Sequence, residues 1–105
     1  MSEKLKNTII EALEDLKGVD IKSFFVQDIV AYTDWTITVT GTSSRHNKTL
    51  AHKAVEKARL ELNIKSIGTE GESEGEWILV DFGDVVLHIM TAEMRDFYQI
   101  EQLFV

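Results

Sequence analysis

Residues 77–90, Trp-Ile-Leu-Val-Asp-Phe-Gly-Asp-Val-Val-Leu-His-Ile-Met, decide the fold, because they predict two strands folded back on each other about Gly83-Asp84. A two-residue loop that begins with glycine is typical of a type II′ turn, in which only glycine adopts the first positive φ without strain. Side chains alternate between the two faces of a strand. The position of the loop therefore predicts which residues lie opposite each other across the hairpin.

The two faces of this hairpin differ in composition. One face is wholly apolar, with the predicted cross-strand pairs Phe82/Val85, Val80/Leu87 and Ile78/Ile89. We expect this face to pack in the core, since facing apolar side chains stabilise a sheet. The other face, which we call the mixed face, combines large apolar groups with one acid and one imidazole, in the pairs Asp81/Val86, Leu79/His88 and Trp77/Met90.

The mixed face has two interpretations. If a helix covers it, Trp77, Leu79 and Met90 belong to the core, and His88 finds a hydrogen-bond partner inside. If nothing covers it, it is a candidate recognition surface, because soluble monomers rarely expose large contiguous apolar areas without a use. Trp, Met and His side chains rimmed by charge suit the centre of a protein interface.

Length and composition indicate one domain over residues 1–105. Of the 105 residues, 44% are hydrophobic and 28% are charged, which is ordinary for a globular protein with a single core. No apolar run approaches the length that spans a bilayer, and the first residues lack the core of a signal peptide. The absence of cysteine excludes a disulfide framework and a zinc–thiolate site. We therefore expect a cytoplasmic protein.

The charge of the chain argues against a nucleic-acid partner. The sequence has 18 acidic residues against 11 Lys and Arg, a formal net charge of −7. Binding to a phosphate backbone needs a surplus of positive contacts, whereas an acidic domain is steered toward a basic partner. We expect a basic protein as the partner, with little direct RNA contact.

The rest of the chain predicts helices and strands around the hairpin. Helical spacing predicts a first helix that Ser2 caps and Gly18 terminates, and a long second helix that ends near Leu62. Strands are predicted at 21–29, 35–40 and 64–67, with one buried side on strand 35–40 and a mobile loop at 68–76. After the hairpin, Thr91 caps a short helix, and apolar residues recur by threes at Met94, Phe97, Ile100 and Leu103. This order predicts an α/β fold, a single-domain mixed β-sheet flanked by helices.

The loop between Gly41 and Arg45 is the one segment that could hold a nucleotide. It follows a strand and begins a helix, so free backbone N–H groups together with Arg45 could cradle a phosphate. The same residues also form a good helix cap without any ligand. The Gly-x-x-x-x-Gly-Lys pattern of a Walker loop is missing. A residual nucleotidyltransferase that binds a nucleotide here is the alternative function.

Other residue types used in catalysis do not converge in the predicted fold. Asp81 lies on the mixed face and Asp84 in the turn, so the two carboxylates do not form an acid–base or metal pair. His46 and His52 do not share a helix face and are expected to be solvated. No nucleophile elbow surrounds the neighbouring serines. The sequence predicts no catalytic residue, no metal and no cofactor.

Several motifs together resemble one known family. The residues that carry the resemblance are Gly41-Thr42-Ser43-Ser44-Arg45-His46, Glu70-Gly71, Trp77-x-Leu79-x-Asp81-x-Gly83-Asp84-Val85-Val86-x-His88, and Glu93-x-Arg95-x-Phe97-Tyr98-x-x-Glu101-x-Leu103. With these, the chain resembles the ribosomal silencing factor family, also called iojap-like, over nearly everything from Ile21 onward. The departures are mild, since Phe82 stands where tyrosine is common and Phe104 where tryptophan is common.

The resemblance implies both a fold and a function. The implied fold has the shape of a nucleotidyltransferase without its catalytic carboxylate pair. The implied function is translational repression when nutrients are short, by binding ribosomal protein fourteen of the large subunit and blocking the small subunit from joining. The implied partner-binding residues are Trp77, Leu79, Asp84, Val86, His88, Met90, Glu93 and Arg95. A homodimer seam on the mixed face of the free protein is a further interpretation.

Overall fold

The fold is a five-stranded mixed sheet with helices on both faces, in a computed structural model that describes residues 2–105. Its elements in chain order are α1 (Ser2–Asp15), β1 (Val19–Phe25), β2 (Trp35–Gly41), α2 (Ser44–Leu62), β3 (Gly68–Glu70), β4 (Trp77–Asp81), β5 (Val85–Thr91), α3 (Ala92–Tyr98) and a 3₁₀ helix (Ile100–Phe104), which we call the C-terminal segment. The strand order is β1-β2-β5-β4-β3. Because β2 pairs with β5 in parallel and the other pairs are antiparallel, the predicted mixed sheet is confirmed.

The β4–β5 hairpin has the predicted register. Ile78 pairs with Ile89, and Val80 pairs with Leu87. Gly83 adopts a φ of 89°, which a residue with a side chain rarely takes, and this makes the turn possible. Just before the turn, the Phe82 N–H donates to the Val85 carbonyl at 2.9 Å.

The apolar face of the hairpin packs under α1 and α2, as expected. The residues of this main core include Leu5, Ile9, Leu13, Leu50, Ala51, Ala54, Ile78, Val80, Leu87 and Ile89, none of them more than 1% exposed. Alanines on α2 let that helix lie close to the sheet and to α1. Close packing of this kind is the main favourable contribution to folding.

The opposite face of the sheet is covered only in part. The short α3 and the C-terminal segment lie over it, with a small core of Val26, Met90, Ile100 and Phe104 beneath them. Trp77 and Met94 stand at the margin of this small core and are half-buried. The mixed face is thus neither wholly sealed nor wholly open.

Strand β2 is buried on both sides, so the expectation of one buried side is wrong. Thr36 and Thr38 are as inaccessible as Ile37 and Val39 on the other side. The reason is position, since β2 lies inside the sheet, parallel to β5, with helices over both faces. The alternation of Thr with apolar residues identifies the strand but not its neighbours.

Several predicted boundaries are also corrected. The third strand is Gly68–Glu70 rather than 64–67, and Ser2 is the first helical residue of α1 rather than its cap. At the end of α1, Lys17 takes the left-handed conformation with a φ of 63°. Gly18 serves a different purpose, because a Cβ there would lie 2.8 Å from Val39 Cγ2. The glycine therefore permits close approach of chain and sheet.

The loop 68–76, which is predicted to be mobile, makes structural contacts that its composition does not predict. Its first three residues form β3, and Gly75 is buried. Asn47 of α2 donates its amide to the Gly75 carbonyl at 2.7 Å. None of the helices within residues 2–105 is long and apolar enough to cross a membrane.

Candidate protein-docking surface

An exposed group of aromatic side chains lies beside the margin of the small core. We call Trp77, Leu79, Phe97 and Tyr98 the aromatic surface. Phe97 is 78% exposed and Tyr98 is 51% exposed, while Trp77 and Leu79 are half-buried. The ring centroids of Trp77 and Tyr98 are 5.0 Å apart, and those of Tyr98 and Phe97 are 4.9 Å apart. Such rigid aromatic groups are typical of the energetic centre of a protein interface.

The end of α3 explains why these rings face solvent. The helix stops at Tyr98 because Gln99 takes the left-handed conformation, with a φ of 46°. The chain then turns into the C-terminal segment, which buries Ile100 and Phe104. Phe97 and Leu103 belong to the same spacing by threes, yet the break at Gln99 leaves both exposed. The exposure of Phe97 and Tyr98 is not predicted by the spacing, although the Arg-x-Phe-Tyr run before a helix end is a visible signal.

His88 lies behind Trp77 and is half-buried. The Trp77 indole Nε1–H donates to His88 Nδ1 at 3.1 Å. Burial lowers the pKa of His88 from 6.5 to about 4, so the imidazole is neutral at physiological pH. The interpretation in which His88 finds an internal hydrogen-bond partner is therefore the one observed.

Val86 and Met90 do not line the surface. Met90 has no exposed area, because the C-terminal segment covers it, and Val86 is 6% exposed. The expectation of an open mixed face is wrong at these two positions. Met90 lies opposite Trp77 across the hairpin, whereas Val86 lies opposite Asp81, next to the turn.

Arg95 is buried as well, at the centre of a polar network. Its guanidinium donates to the Glu101 carboxylate at 2.6 Å, to Thr40 Oγ1 at 2.9 Å, to Thr38 Oγ1 at 3.1 Å and to the Asp20 carbonyl at 2.8 Å. Hydrogen bonds from Arg95 lower the pKa of the Glu101 carboxyl below its usual range. These hydrogen bonds use the guanidinium donors of Arg95 and join α3 to β1, β2 and the C-terminal segment. The expectation that Arg95 lies at an exposed rim is therefore wrong.

The two predicted acidic rim residues lie far apart. Asp84 is in the hairpin turn before β5, and Glu93 is in the first turn of α3 after β5. The seven residues of β5 separate them by roughly 20 Å at the usual rise of a strand. Only Glu93 is on the α3 side of the molecule with the aromatic surface. The Asp84 carbonyl instead accepts the N–H groups of Asp34 and Trp35, at 3.1 and 3.0 Å.

The loop from Gly41 to Arg45 forms a helix cap. Ser43 Oγ accepts the His46 N–H at 3.0 Å, and the Thr42 N–H donates to His46 Nδ1 at 2.9 Å. His46 Nε2 lies 2.8 Å from the Leu16 carbonyl, so this ring links α1 to α2 and is not solvated as expected. His52 is exposed, as expected. The Thr42 N–H, one of the backbone donors proposed to hold a phosphate, is therefore bonded within the protein.

The Asp81 carboxylate has a structural use. Asp81 Oδ1 accepts the Gly83 N–H at 2.8 Å and so stabilises the hairpin turn. Within residues 2–105, no group of three or more His, Asp and Glu side chains could hold a metal ion. Fold and surface together define the class: a small α/β protein that exposes a group of aromatic side chains.

Comparison with known proteins identifies the family. The family model described as "RsfS: Ribosomal silencing factor during starvation" matches residues 1–105, and the chain belongs to this family. The Ribosomal silencing factor RsfS of Chromobacterium violaceum is 40% identical over 102 residues, which cover 97% of this chain and 83% of that protein. The factor of the same name from Haemophilus influenzae is 36% identical over 96 residues, or 91% of this chain and 93% of that protein.

A mouse protein and a solved structure extend the comparison. Mitochondrial assembly of ribosomal large subunit protein 1 from Mus musculus is 32% identical over 99 residues, which cover 91% of this chain and 43% of that protein. A crystal structure from Chromobacterium violaceum has a TM-score of 0.96 at 39% identity, covering 99% of this chain and 86% of the other. The family resemblance seen in the sequence is confirmed. The protein is a ribosome-associated regulator, of a family named for silencing and not for an enzyme activity.

Proposed function

We propose that this protein represses translation by docking on ribosomal protein fourteen of the large subunit, where it blocks the small subunit from joining. The observation that carries the proposal is the aromatic surface, which exposes Phe97 and Tyr98 next to a half-buried Trp77. A formal charge of −7 supports a basic protein as the partner. The proposal also makes the protein a non-enzyme that acts in the cytoplasm.

The mechanism is competition and needs no chemistry. A factor that binds only unjoined large subunits stabilises them by RT ln(1 + [L]/Kd), which is about 2.7 kcal/mol at about 100 times Kd. That free energy shifts the joining equilibrium about a hundredfold. An interface of about 800 Å² on each partner, with two or three aromatic anchors, is sufficient for such affinity.

The predicted partner-binding residues divide into two roles in this proposal. Trp77 and Leu79 contact the partner, with Glu93 at the edge and with Phe97 and Tyr98 added to the set. His88, Met90 and Arg95 hold the surface in place from inside the protein, while Val86 is buried next to the hairpin turn. Asp84 is too distant to join the same contact.

Sedimentation with purified subunits tests the proposal. We expect the wild-type protein to increase free subunits on a sucrose gradient and to migrate with the large one. Phe97→Ala should weaken this activity at least about tenfold, since loss of an aromatic anchor commonly costs 2 kcal/mol or more. Migration of the wild-type protein with neither subunit would refute the proposal.

A matched control separates surface from fold. Tyr32 is also an exposed aromatic residue, at 65%, but lies in the loop before β2. Tyr32→Ala should keep full activity, and circular dichroism should be unchanged in both variants because neither ring is buried. Equal loss in Tyr32→Ala and Phe97→Ala would show that the aromatic surface is not the docking site. Light scattering of the free protein separately tests for a homodimer.

A role in large-subunit assembly is the second candidate function. It is favoured by the mouse relative, whose name refers to assembly of the mitochondrial large subunit. Cells that lack this protein would then accumulate incomplete large subunits during growth. If cells that lack this protein have normal large subunits but an excess of joined ribosomes when starved, silencing is favoured instead.

A further inference from the structure

Trp77 and His88 form a hydrogen-bonded pair behind the aromatic surface. Trp77 lies opposite Met90 and His88 opposite Leu79, so the two are diagonal neighbours on one face of the hairpin. Indole Nε1 is 3.1 Å from His88 Nδ1, and the ring centroids are 6.1 Å apart. Because an indole N–H only donates, Nδ1 is the acceptor and the imidazole proton is on Nε2.

The indole is held from two sides. His88 binds its polar edge, while the Tyr98 ring packs against it with centroids 5.0 Å apart. His88 is itself packed against Phe104 of the C-terminal segment, at 6.5 Å between centroids. Burial of His88 favours its neutral form, which keeps Nδ1 available as an acceptor. The structure therefore fixes the orientation of Trp77 before any partner arrives.

We propose that His88 is a positioning residue, which orients the Trp77 indole for docking and makes no contact with the partner itself. This inference rests on the docking role of Trp77 in the proposed function. A side chain that is ordered before binding loses less conformational entropy on binding, which raises affinity. His88 thus serves the interface through Trp77.

Three substitutions separate positioning from direct contact. His88→Leu removes the acceptor and keeps an apolar side chain. His88→Asn places an amide oxygen near the position of Nδ1 but removes Nε2. Trp77→Phe removes the donor and keeps an aromatic ring. Two quantities are measured. One is solvent exchange of the Trp77 indole N–H, by NMR on the free protein, and the other is affinity for isolated large subunits.

We expect His88→Leu to speed exchange of the Trp77 indole N–H and to weaken binding, each by about five- to tenfold, the worth of one hydrogen bond. His88→Asn should restore most of the slow indole exchange and most of the affinity. Once Trp77→Phe has removed the donor, His88→Leu should cause little further loss of affinity. The Trp35 indole, which packs against Phe25 and Lys6, is the internal control and should not change.

Two results with the His88 variants would overturn the inference. One is His88→Leu with unchanged indole exchange and unchanged affinity. The other is His88→Asn that restores slow exchange but not affinity, which would show direct contact with the partner. If His88→Leu does not fold, a Trp77→Phe variant that binds as tightly as wild type would equally refute positioning. Slow wild-type exchange without binding to large subunits would refute the proposed function instead.

Discussion

Gly41 shows how one residue without a side chain can join three elements. It ends β2, and a Cβ at this position would overlap the Oδ1 atom of Asn47 on α2. Asn47 is completely buried, and its amide holds the Gly75 carbonyl at 2.7 Å. A side chain at Gly41 would therefore disturb the contact between α2 and the turn before β4.

We expect Gly41→Ala to destabilise the protein by about 2–3 kcal/mol, because overpacking of a rigid site is costly. Gly68→Ala is the matched control, since a Cβ there meets nothing within 4 Å and no positive φ is required. Urea denaturation of both variants measures the difference. Equal stability of the two variants would contradict the packing described at Asn47.

His88 makes stability depend on pH in a defined window. Its pKa is about 4 in the folded protein and about 6.5 when unfolded, so the unfolded chain takes up the proton first as pH falls. The contribution of His88 to the free energy of unfolding is therefore complete above pH 6.5 and is lost as the pH falls toward 4. It amounts to about 3 kcal/mol.

Denaturant titrations at intervals between pH 7 and pH 4 measure this contribution. We expect His88→Leu to flatten that part of the profile, while the loss of stability that accompanies protonation of Glu101 remains. The contribution of Glu101 is present above its ordinary pKa and is lost as pH falls through its lowered folded value. An identical slope between pH 6.5 and pH 4 in wild type and His88→Leu would contradict the burial of this imidazole.

At the scale of elements, the C-terminal segment depends on one ion pair. Glu101 accepts from Arg95 at 2.6 Å, and the two side chains are 21% and 9% exposed. This ion pair holds Ile100 and Phe104 over Met90, with Phe104 beside His88. The segment is short and contributes few other polar contacts to the sheet, so its position relies on the pair.

Glu101→Gln should destabilise the protein by about 2–4 kcal/mol, because it leaves the buried Arg95 charge with only the more exposed Asp20 carboxylate, at 3.6 Å. Amide hydrogen exchange should also become faster in the C-terminal segment than in the β4–β5 hairpin. Asp96→Asn, an exposed change on α3, is the control and should have little effect. Uniformly faster exchange across the whole sheet would show that the segment is not a separate unit.

The elements also show what sequence patterns can predict. The hairpin register follows from Gly83 and period-two alternation, because both are local properties of a few residues. The break at Gln99 is not predictable in that way, since a non-glycine residue adopts the left-handed conformation there. Burial of Arg95 was missed for a similar reason. Its partners at positions 20, 38, 40 and 101 come from three other elements, and their convergence is a tertiary fact.

At the scale of the whole molecule, the two layers of the sandwich are unequal. Helices of 14 and 19 residues close one face of the sheet, while a seven-residue helix and the C-terminal segment cover the other. Because the second layer is small, aromatic groups at its margin stay accessible. The family likeness implies a partner-binding surface on the mixed face, but which of its residues are exposed follows from this difference in size.

The acidic charge of the molecule should act on the rate of docking. Raising the salt from about 0.05 M to about 0.3 M shortens the screening length, so association with large subunits should slow far more than dissociation changes. Surface plasmon resonance with immobilised large subunits measures both rates. A salt effect confined to dissociation would contradict long-range attraction of a basic partner.

The parallel pairing of β2 with β5 has a consequence for how the protein folds. Residue 35 must find residue 85, and Trp77 gains its neighbour Tyr98 only near the carboxyl terminus. Contacts between residues this far apart in sequence carry a cost of loop closure in entropy and form slowly. We therefore expect the central pairing to form late in folding, and Trp77 and Tyr98 to meet only once both β5 and α3 are in place.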